Sequence, residues 1–203
     1  MKYRAVGKRI ACNLSDLGLS IDLASAVAVI AKKGFRIINQ DIVGLARSRI
    51  GLSRYCLGAS MVDAPRILDC SGFIKWLYAA QGLWIPRLAI QQREYGQKVE
   101  LRDVASGDAI FATGRNDYYH DDASDGVGHV GIATGEGTVV HAANRRDGVT
   151  EVPLEDFVGE SQKKFRGARR FLPKSKYTLI LEIPASVEIE TADDLKWIVL
   201  GSL

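Results

Sequence analysis

Residues 69–76, "DCSGFIKW", place a cysteine at the start of a predicted helix, and the interpretation of the whole chain depends on this stretch. Four apolar residues recur here at spacings of three and four: Phe73, Ile74, Leu77 and Tyr78. That spacing predicts a helix from Ser71 to Gly82 with its N-terminus at Cys70. A helix N-terminus lowers the pKa of a thiol from about 8.5. This position favours Cys70 as a nucleophile, but a cysteine can also be a small buried apolar residue.

The chain preceding this helix is predicted to be helical, and the chain following it is predicted to form strands. Helices are expected at 20–33 and 39–51, and a short polar helix is expected after Pro86. Five extended runs follow, "DAIFAT", "HVGIAT", "TVVHAA", "GVTEVP" and "FRGARRFL", with glycine-containing turns between several of them. Helices followed by an antiparallel meander predict an α+β fold.

Two of the three histidines are placed to assist Cys70. His129 begins the strand "HVGIAT" and His141 lies in the next strand, "TVVHAA". Around a turn centred near residue 135, antiparallel pairing sets His129 directly opposite His141. His129 would then act as a base toward Cys70 while His141 orients its other ring nitrogen.

Four motifs in order, "DCSGF", "SGDAIFA", "GHVGIATG" and "VVHAA", with a 12-residue step between the histidines, resemble the NlpC family of papain-like cell-wall cysteine peptidases. The resemblance runs from about 42 to 172 and includes "IPRLAIQQ". It implies a papain-like cysteine peptidase fold, with N-terminal helices followed by a central antiparallel β-sheet meander.

The resemblance also implies an activity, hydrolysis of the amide between γ-D-glutamate and a diamino acid in peptidoglycan stem peptides. Cys70 matches the nucleophile, His129 the general base and His141 the orienting residue. Tyr55 matches a tyrosine near the active site, although "CLGAS" replaces the Gly-Gly that commonly follows it. Asp69 and Ser71 would bind the substrate's amine or shape the pocket. No metal or organic cofactor is required by this chemistry.

The composition excludes several other classes of protein. The 203 residues are 47% hydrophobic and 25% charged, which suits one globular domain with short extensions. A net charge of +3 from scattered Lys and Arg does not indicate a nucleic-acid surface. Three cysteines without CxxC spacing argue against a disulfide framework and a zinc site. The longest apolar run, at 23–31, is too short to span a bilayer.

From these observations we predict an organisation and a partner. Residues 1–38 form a helical N-terminal extension, 39–173 the catalytic domain, and 174–203 a C-terminal strand and helix. The expected partner is peptidoglycan or a released muropeptide, with no nucleic acid and no integral membrane segment; the oligomeric state is left open. Since no secretory signal is seen, the protein is expected to act in the cytoplasm or to reach the cell wall by a non-Sec route.

Several alternatives stay open at this stage. The chain could be a non-catalytic binding module of the same fold, or an amidase-type antibacterial effector or phage lysin. The polar insertion "RNDYYHDDASDG" offers His120, Asp121, Asp122 and Asp125 as metal ligands, but a hydrated loop is favoured because their spacing matches no known metal site. A substrate-selecting loop is the other alternative, since the insertion leads directly into His129. The pair Arg145-Arg146 and "KKFRGARR" either attract an anionic wall polymer or are solvated faces.

Overall fold

The computed structural model describes residues 3–203, which form an α+β fold, as the sequence predicts. The helices are α1 (Leu23–Lys32), α2 (Ile42–Arg47), α3 (Cys70–Ala80), α4 (Ala89–Arg93), α5 (Leu154–Val158) and α6 (Ala192–Leu200). The strands are β1 (Arg9–Asn13), β2 (Arg36–Ile37), β3 (Arg54–Tyr55), β4 (Ile67–Leu68), β5 (Gln97–Val99), β6 (Ala109–Ala112), β7 (His129–Ala133), β8 (Thr138–Asn144), β9 (Gly148–Pro153), β10 (Phe165–Arg170) and β11 (Thr178–Glu182).

One compact unit comprises residues 41–77 and 85–171 and is built on a six-stranded antiparallel sheet. Its strand order is β5-β10-β6-β7-β8-β9. Strands β6 to β9 are a meander, because each pairs with the next strand along the chain. Strand β10 then pairs with the other edge of β6, so that β6 and β7 lie in the middle of the sheet.

Both faces of the central strands are covered. In β6, Ile110 and Ala112 belong to a buried apolar cluster that also contains Val139, Phe157 and Ala168. Alternate residues point to the other face, where Phe111 is also fully buried. Burial on both faces explains why "AIFA" and the four residues that follow His129, "VGIA", contain no polar residue and do not alternate.

The second compact unit comprises residues 1–40, 78–84 and 172–203, of which the structure describes those from Tyr3 onward. A three-stranded sheet of order β1-β11-β2 joins the two ends of the chain, with β11 central and antiparallel to both neighbours. Helices α1 and α6 contact each other, and α6 contacts β1. Helix α1 is capped by Asp22, whose carboxylate accepts the Ser25 N–H at 3.0 Å.

Some elements differ in length or number from those that the sequence predicts. Helix α2 is shorter than expected, ending at Arg47, because residues 48–52 continue as turns. Strands β1 and β2 were not predicted, so residues 1–38 contain strands besides helix α1. The predicted division at 38 and 173 stays a prediction. Within residues 3–203, no helix combines the length and apolar character needed to cross a membrane.

Candidate active site

The motif Asp69-Cys70-Ser71-Gly72 forms the N-terminal end of α3. Asp69 is the N-cap: its Oδ1 accepts the Gly72 N–H at 2.7 Å, and its backbone carbonyl accepts the Phe73 N–H at 2.9 Å. A glycine at position 72 leaves room for this cap, because a Cβ there would lie 2.9 Å from Asp69 Oδ1. Capping at Asp69 thus makes Cys70 the first residue of the helix.

Two residues of "IPRLAIQQ" hold this helix end in place. Arg87 makes a two-pronged ion pair with Asp69, at 2.9 and 2.6 Å, and also donates to Ser71 Oγ at 2.9 Å. Gln92 is fully buried and donates from Nε2 to the carbonyls of Ser71 and Pro86, both at 2.9 Å. These contacts give "IPRLAIQQ" a physical role in positioning the cysteine.

The Cys70 thiol lies against the backbone on either side of His129. Its Sγ is 3.8 Å from the Gly128 carbonyl oxygen, and Val130 N–H is directed at it from the other side. Burial, reinforced by the charge of Asp69, raises the pKa of Cys70 to about 11, against the lowering effect of the backbone N–H groups of Val130, Ser71 and Cys70 itself. In the free site the thiol is therefore neutral near pH 7.

The two histidine side chains are in contact: His129 Nε2 lies 2.7 Å from His141 Nδ1. The predicted register was wrong, however. Ile132 pairs with Val140, and the same register places Ala143, not His141, opposite His129. The turn is centred one residue later than predicted, since Thr134 N–H bonds to the Thr138 carbonyl. A shift of two positions keeps both side chains on one face of the sheet, so the imidazoles still meet diagonally.

The side chain of Phe157, on α5, packs against both imidazoles. The sequence analysis did not predict that Phe157 belongs to the site. Its ring centroid lies 5.5 Å from that of His129 and 5.1 Å from that of His141. Burial lowers the pKa of His129 to about 4, with a smaller effect of the charge on Lys164. Burial, followed by the charge of His129, lowers the pKa of His141 to about 3. Both rings are therefore neutral near pH 7.

The tautomers follow from this contact. For His129 to accept a proton at Nδ1, its Nε2 must carry the hydrogen and donate it to His141 Nδ1. His141 then carries its own hydrogen on Nε2, a buried atom that has no hydrogen-bond partner within residues 3–203. His141 in this state is an acceptor that fixes the ring orientation of its neighbour.

Cys70 and His129 line one cleft of about 820 Å³. Tyr55, Asp69 and Ser71 line it too, so five of the six candidate residues meet there, with His141 behind His129. Burial, followed by the charges of Cys70 and Asp69, raises the pKa of Tyr55 to about 12, which keeps its hydroxyl protonated. The cleft has an apolar part, formed by Leu57, Leu88 and Val127.

The polar insertion between β6 and β7, residues 113–128, forms one wall of this cleft through Arg115, Asn116, Tyr118 and Val127. It is an ordered hairpin, because Tyr118 and Val127 exchange backbone hydrogen bonds at 3.0 and 2.8 Å. Both carboxylate oxygens of Asp125 bond to Arg93 at 2.8 Å. Arg93 lies on α4 and is 7% exposed, so the hairpin is fixed to the body of this unit.

The remaining cysteines and acidic residues do not join the cleft. Cys12 is buried in the other unit, and burial raises its pKa to about 12. Cys56 is half-buried and does not line the cleft. Among residues 3–203, no three His, Cys, Asp or Glu side chains come together in a way that could hold a metal ion. Asp125 is instead engaged by Arg93.

The chain is similar in sequence to known proteins. The family model described as NlpC/P60 family matches residues 53–170. A probable endopeptidase of Corynebacterium glutamicum is 36% identical over 126 residues, 62% of this chain and 53% of the relative. A gamma-D-glutamyl-L-lysine dipeptidyl-peptidase of Bacillus cereus is 30% identical over 135 residues, 66% of this chain and 36% of the relative. The chain thus spans about half or less of the length of these curated relatives.

Solved structures give the same result for the fold. The crystal structure of an NlpC/P60 family protein from Bacillus cereus superposes with a TM-score of 0.56 at 27% identity, over 68% of this chain and 42% of that one. The NlpC/P60 domain of the peptidoglycan hydrolase SagA superposes with a TM-score of 0.50 at 26% identity, over 64% and 96%. On the family match over more than half of its length, the chain belongs to the NlpC/P60 family.

Proposed function

We propose that this protein hydrolyses the amide between γ-D-glutamate and a diamino acid in peptidoglycan stem peptides, with Cys70 as nucleophile, His129 as base and His141 as orienting residue. The observation that carries the proposal is the convergence at one cleft. The thiol at the start of α3 lies between the backbone groups that flank His129, and His129 is bonded to His141 at 2.7 Å. These contacts support a reaction in which Cys70 is the nucleophile, His129 the base and His141 the orienting residue.

Acylation begins from a neutral thiol and a neutral imidazole. Burial disfavours either charge alone, but one proton transfer from Cys70 Sγ to His129 Nδ1 would create both charges together, so that each stabilises the other. The thiolate attacks the γ-carbonyl carbon, and the N-terminal end of α3 faces the developing oxyanion with its free N–H groups. His129 then gives its proton to the leaving amine, leaving a thioester on Cys70.

Deacylation uses the same groups in reverse. Neutral His129 removes a proton from a water molecule, which attacks the thioester and releases the γ-glutamyl product with Cys70 protonated again. In both steps the imidazolium of His129 is stabilised by His141 Nδ1, which accepts the hydrogen bond from Nε2. His141 thus acts through His129 and does not contact the substrate.

The contacts of Asp69 bear on the two roles considered for it. Its carboxylate already accepts hydrogen bonds from Gly58 N–H, Gly72 N–H and the guanidinium of Arg87, and Asp69 is 5% exposed. This saturation favours shaping of the pocket over direct binding of the substrate's amine. Tyr55 and Ser71 are proposed to contact the substrate from the adjacent wall of the cleft.

The relatives support the choice of bond. One relative from Bacillus cereus is named a gamma-D-glutamyl-L-lysine dipeptidyl-peptidase, and one from Bacillus subtilis is named a gamma-DL-glutamyl hydrolase. Both names contain a γ-glutamyl group. The common element supports a γ-glutamyl carbonyl as the site of attack in this protein as well.

The test is hydrolysis of defined stem peptides and muropeptides, followed by mass spectrometry, with Cys70→Ala and Cys56→Ala proteins in parallel. We expect one cleavage, after γ-D-glutamate, which is lost in Cys70→Ala and kept in Cys56→Ala. If the folded, reduced protein cleaves none of these substrates but binds them, the proposal is wrong and a binding module is the better description.

A further inference from the structure

The cleft carries more positive charge than the proposed chemistry uses. Four arginines line it: Arg87, Arg115, Arg145 and Arg146. Arg87 is neutralised by Asp69, and Arg146 by Asp147 at 2.8 Å. Within residues 3–203, neither Arg115 nor Arg145 has a carboxylate partner, and both are exposed. Two exposed guanidinium groups that line the cleft are thus left without a carboxylate partner.

The acidic residues near these arginines are occupied or face elsewhere. Asp69 is the one carboxylate among the described residues that line the cleft, and it is held by Arg87. In the insertion hairpin, Asp117 accepts the Gly114 N–H at 2.7 Å, and Asp122 accepts the Ser124 N–H at 2.8 Å. The carboxylate of Asp125 forms an ion pair with Arg93. Asp121 is exposed and does not line the cleft.

The two unpaired arginines are held by different walls. Arg115 lies near the start of the insertion hairpin, which the Arg93–Asp125 ion pair and the Tyr118–Val127 backbone hydrogen bonds keep in place. Arg145 lies in the turn between β8 and β9, where Asn144 accepts the Arg146 and Asp147 N–H groups at 2.8 and 3.1 Å. Contacts within the protein therefore hold both backbone segments that carry these arginines, without a bound ligand.

We infer that Arg115 and Arg145 bind free carboxylates next to the scissile amide, so that the site selects stem peptides whose carboxyl groups are ionised over those in which they are amidated. The inference rests on the proposed function. A guanidinium presents two parallel N–H donors that match a carboxylate, and it loses most of this match against a neutral amide. The apolar surface of Leu57, Leu88 and Val127 in the cleft strengthens the field of the two charges.

Two substrate carboxylates satisfy this chemistry. One is the α-carboxylate of the D-glutamyl residue, on the acyl side of the scissile bond, and the other is a carboxylate of the diamino acid, on the leaving side. Recognition from opposite sides of the bond would also fix the direction in which the peptide lies in the cleft.

The test uses Cys70→Ala protein, so that binding is measured without cleavage, in isothermal titrations with two peptide pairs. In the first pair the D-glutamyl α-carboxyl is free or amidated; in the second the side-chain carboxyl of diaminopimelate is free or amidated. We expect the free form to bind about fivefold or more tightly in at least one pair, a value between an exposed ion pair and a desolvated charged hydrogen bond. The pair that responds identifies which carboxylate is bound.

Variants made in the Cys70→Ala protein show which arginine causes the preference for the free carboxylate. Arg115→Gln or Arg145→Gln should reduce the preference in the responding pair, and Arg115→Lys or Arg145→Lys should retain part of it. Arg102→Gln is the matched control, since it removes the same charge from a side chain that is 86% exposed and outside the cleft. Equal affinities within both pairs, or a preference that survives both glutamine variants, would overturn the inference. Cleavage of the same peptides by the wild-type protein is scored separately and reports on the proposed function alone.

Discussion

The buried histidine pair makes a measurable prediction about acid sensitivity. His129 and His141 have pKa values near 4 and 3 in the folded protein, against about 6.5 in the unfolded chain. Because these pKa values are depressed on folding, the unfolded state binds more protons below pH 6.5, and stability falls as the pH falls. Well above pH 6.5 both states leave these rings unprotonated, so the contribution is fully present there.

The size of the effect follows from the two shifts. Between pH 7 and pH 5, each imidazole becomes almost fully protonated in the unfolded chain while it stays mostly neutral in the fold. Linkage gives about 2 kcal/mol for each histidine, or about 4 kcal/mol together. For a chain of this length the midpoint of thermal unfolding should fall by roughly 10 °C over this interval.

The assay is calorimetric unfolding at pH 7 and pH 5 for the wild-type protein and for His129→Gln/His141→Gln. The wild-type midpoint should fall by the larger amount, and the difference between the proteins isolates the pair. NMR of the imidazole protons supplies an independent check, since neither buried ring should titrate above pH 5. Equal decreases in both proteins, or a titration midpoint near 6.5 for either ring, would refute the reasoning.

Three further predictions concern the support of the site. Arg87→Met leaves the Asp69 carboxylate buried without its ionic partner and should cost about 3 kcal/mol in urea unfolding; a loss below about 1 kcal/mol would contradict this. Gly131→Ala places a Cβ against the Val139 side chain of β8 and 3.1 Å from the Phe157 ring, so unfolding should become easier by about 1–3 kcal/mol; an unchanged denaturation midpoint would contradict this clash. His141→Asn retains an acceptor and should keep more of kcat than His141→Leu, with KM similar in both, whereas equal kcat values would argue against an orienting role.

The helix and strand pattern of the proposed catalytic region could be predicted from the sequence because its signals are local. The spacing of Phe73, Ile74 and Leu77 predicted α3, and glycine-containing turns separated β7, β8 and β9. Strand β5 and the two-residue strands β3 and β4 were missed. Such short strands are defined by their pairing partners, which sequence periodicity does not reveal.

The contact between the histidines was predicted for a partly wrong reason. Side chains alternate faces with a period of two, so both residues fall on one face for any even register, but the register itself depends on the turn conformation. The Thr134–Thr138 bond sets that conformation and was not anticipated. Phe157, which packs on both rings, could not be placed because its five-residue helix has no clear sequence signal.

The saturation of Asp69 was likewise invisible in the sequence. Arg87 lies 18 residues away, and only the folded chain shows that it neutralises the carboxylate beside Cys70. The segment "IPRLAIQQ" drew attention through its proline and glutamine, which resemble those of the family. It is the arginine of this segment, however, that forms the ion pair with the capping residue. No local sequence pattern predicts that a capping aspartate pairs with an arginine so far away in the chain.

The most direct test of the central claim is to identify which cysteine reacts with a substrate-shaped electrophile. A stem peptide in which the scissile γ-glutamyl amide is replaced by a vinyl sulfone would be incubated with the protein, and the adduct located by peptide mapping. The account predicts one adduct, on Cys70, formed more slowly after His129→Gln. A label on Cys56 or Cys12, or labelling that persists after Cys70→Ala, would contradict the assignment of Cys70 as the nucleophile.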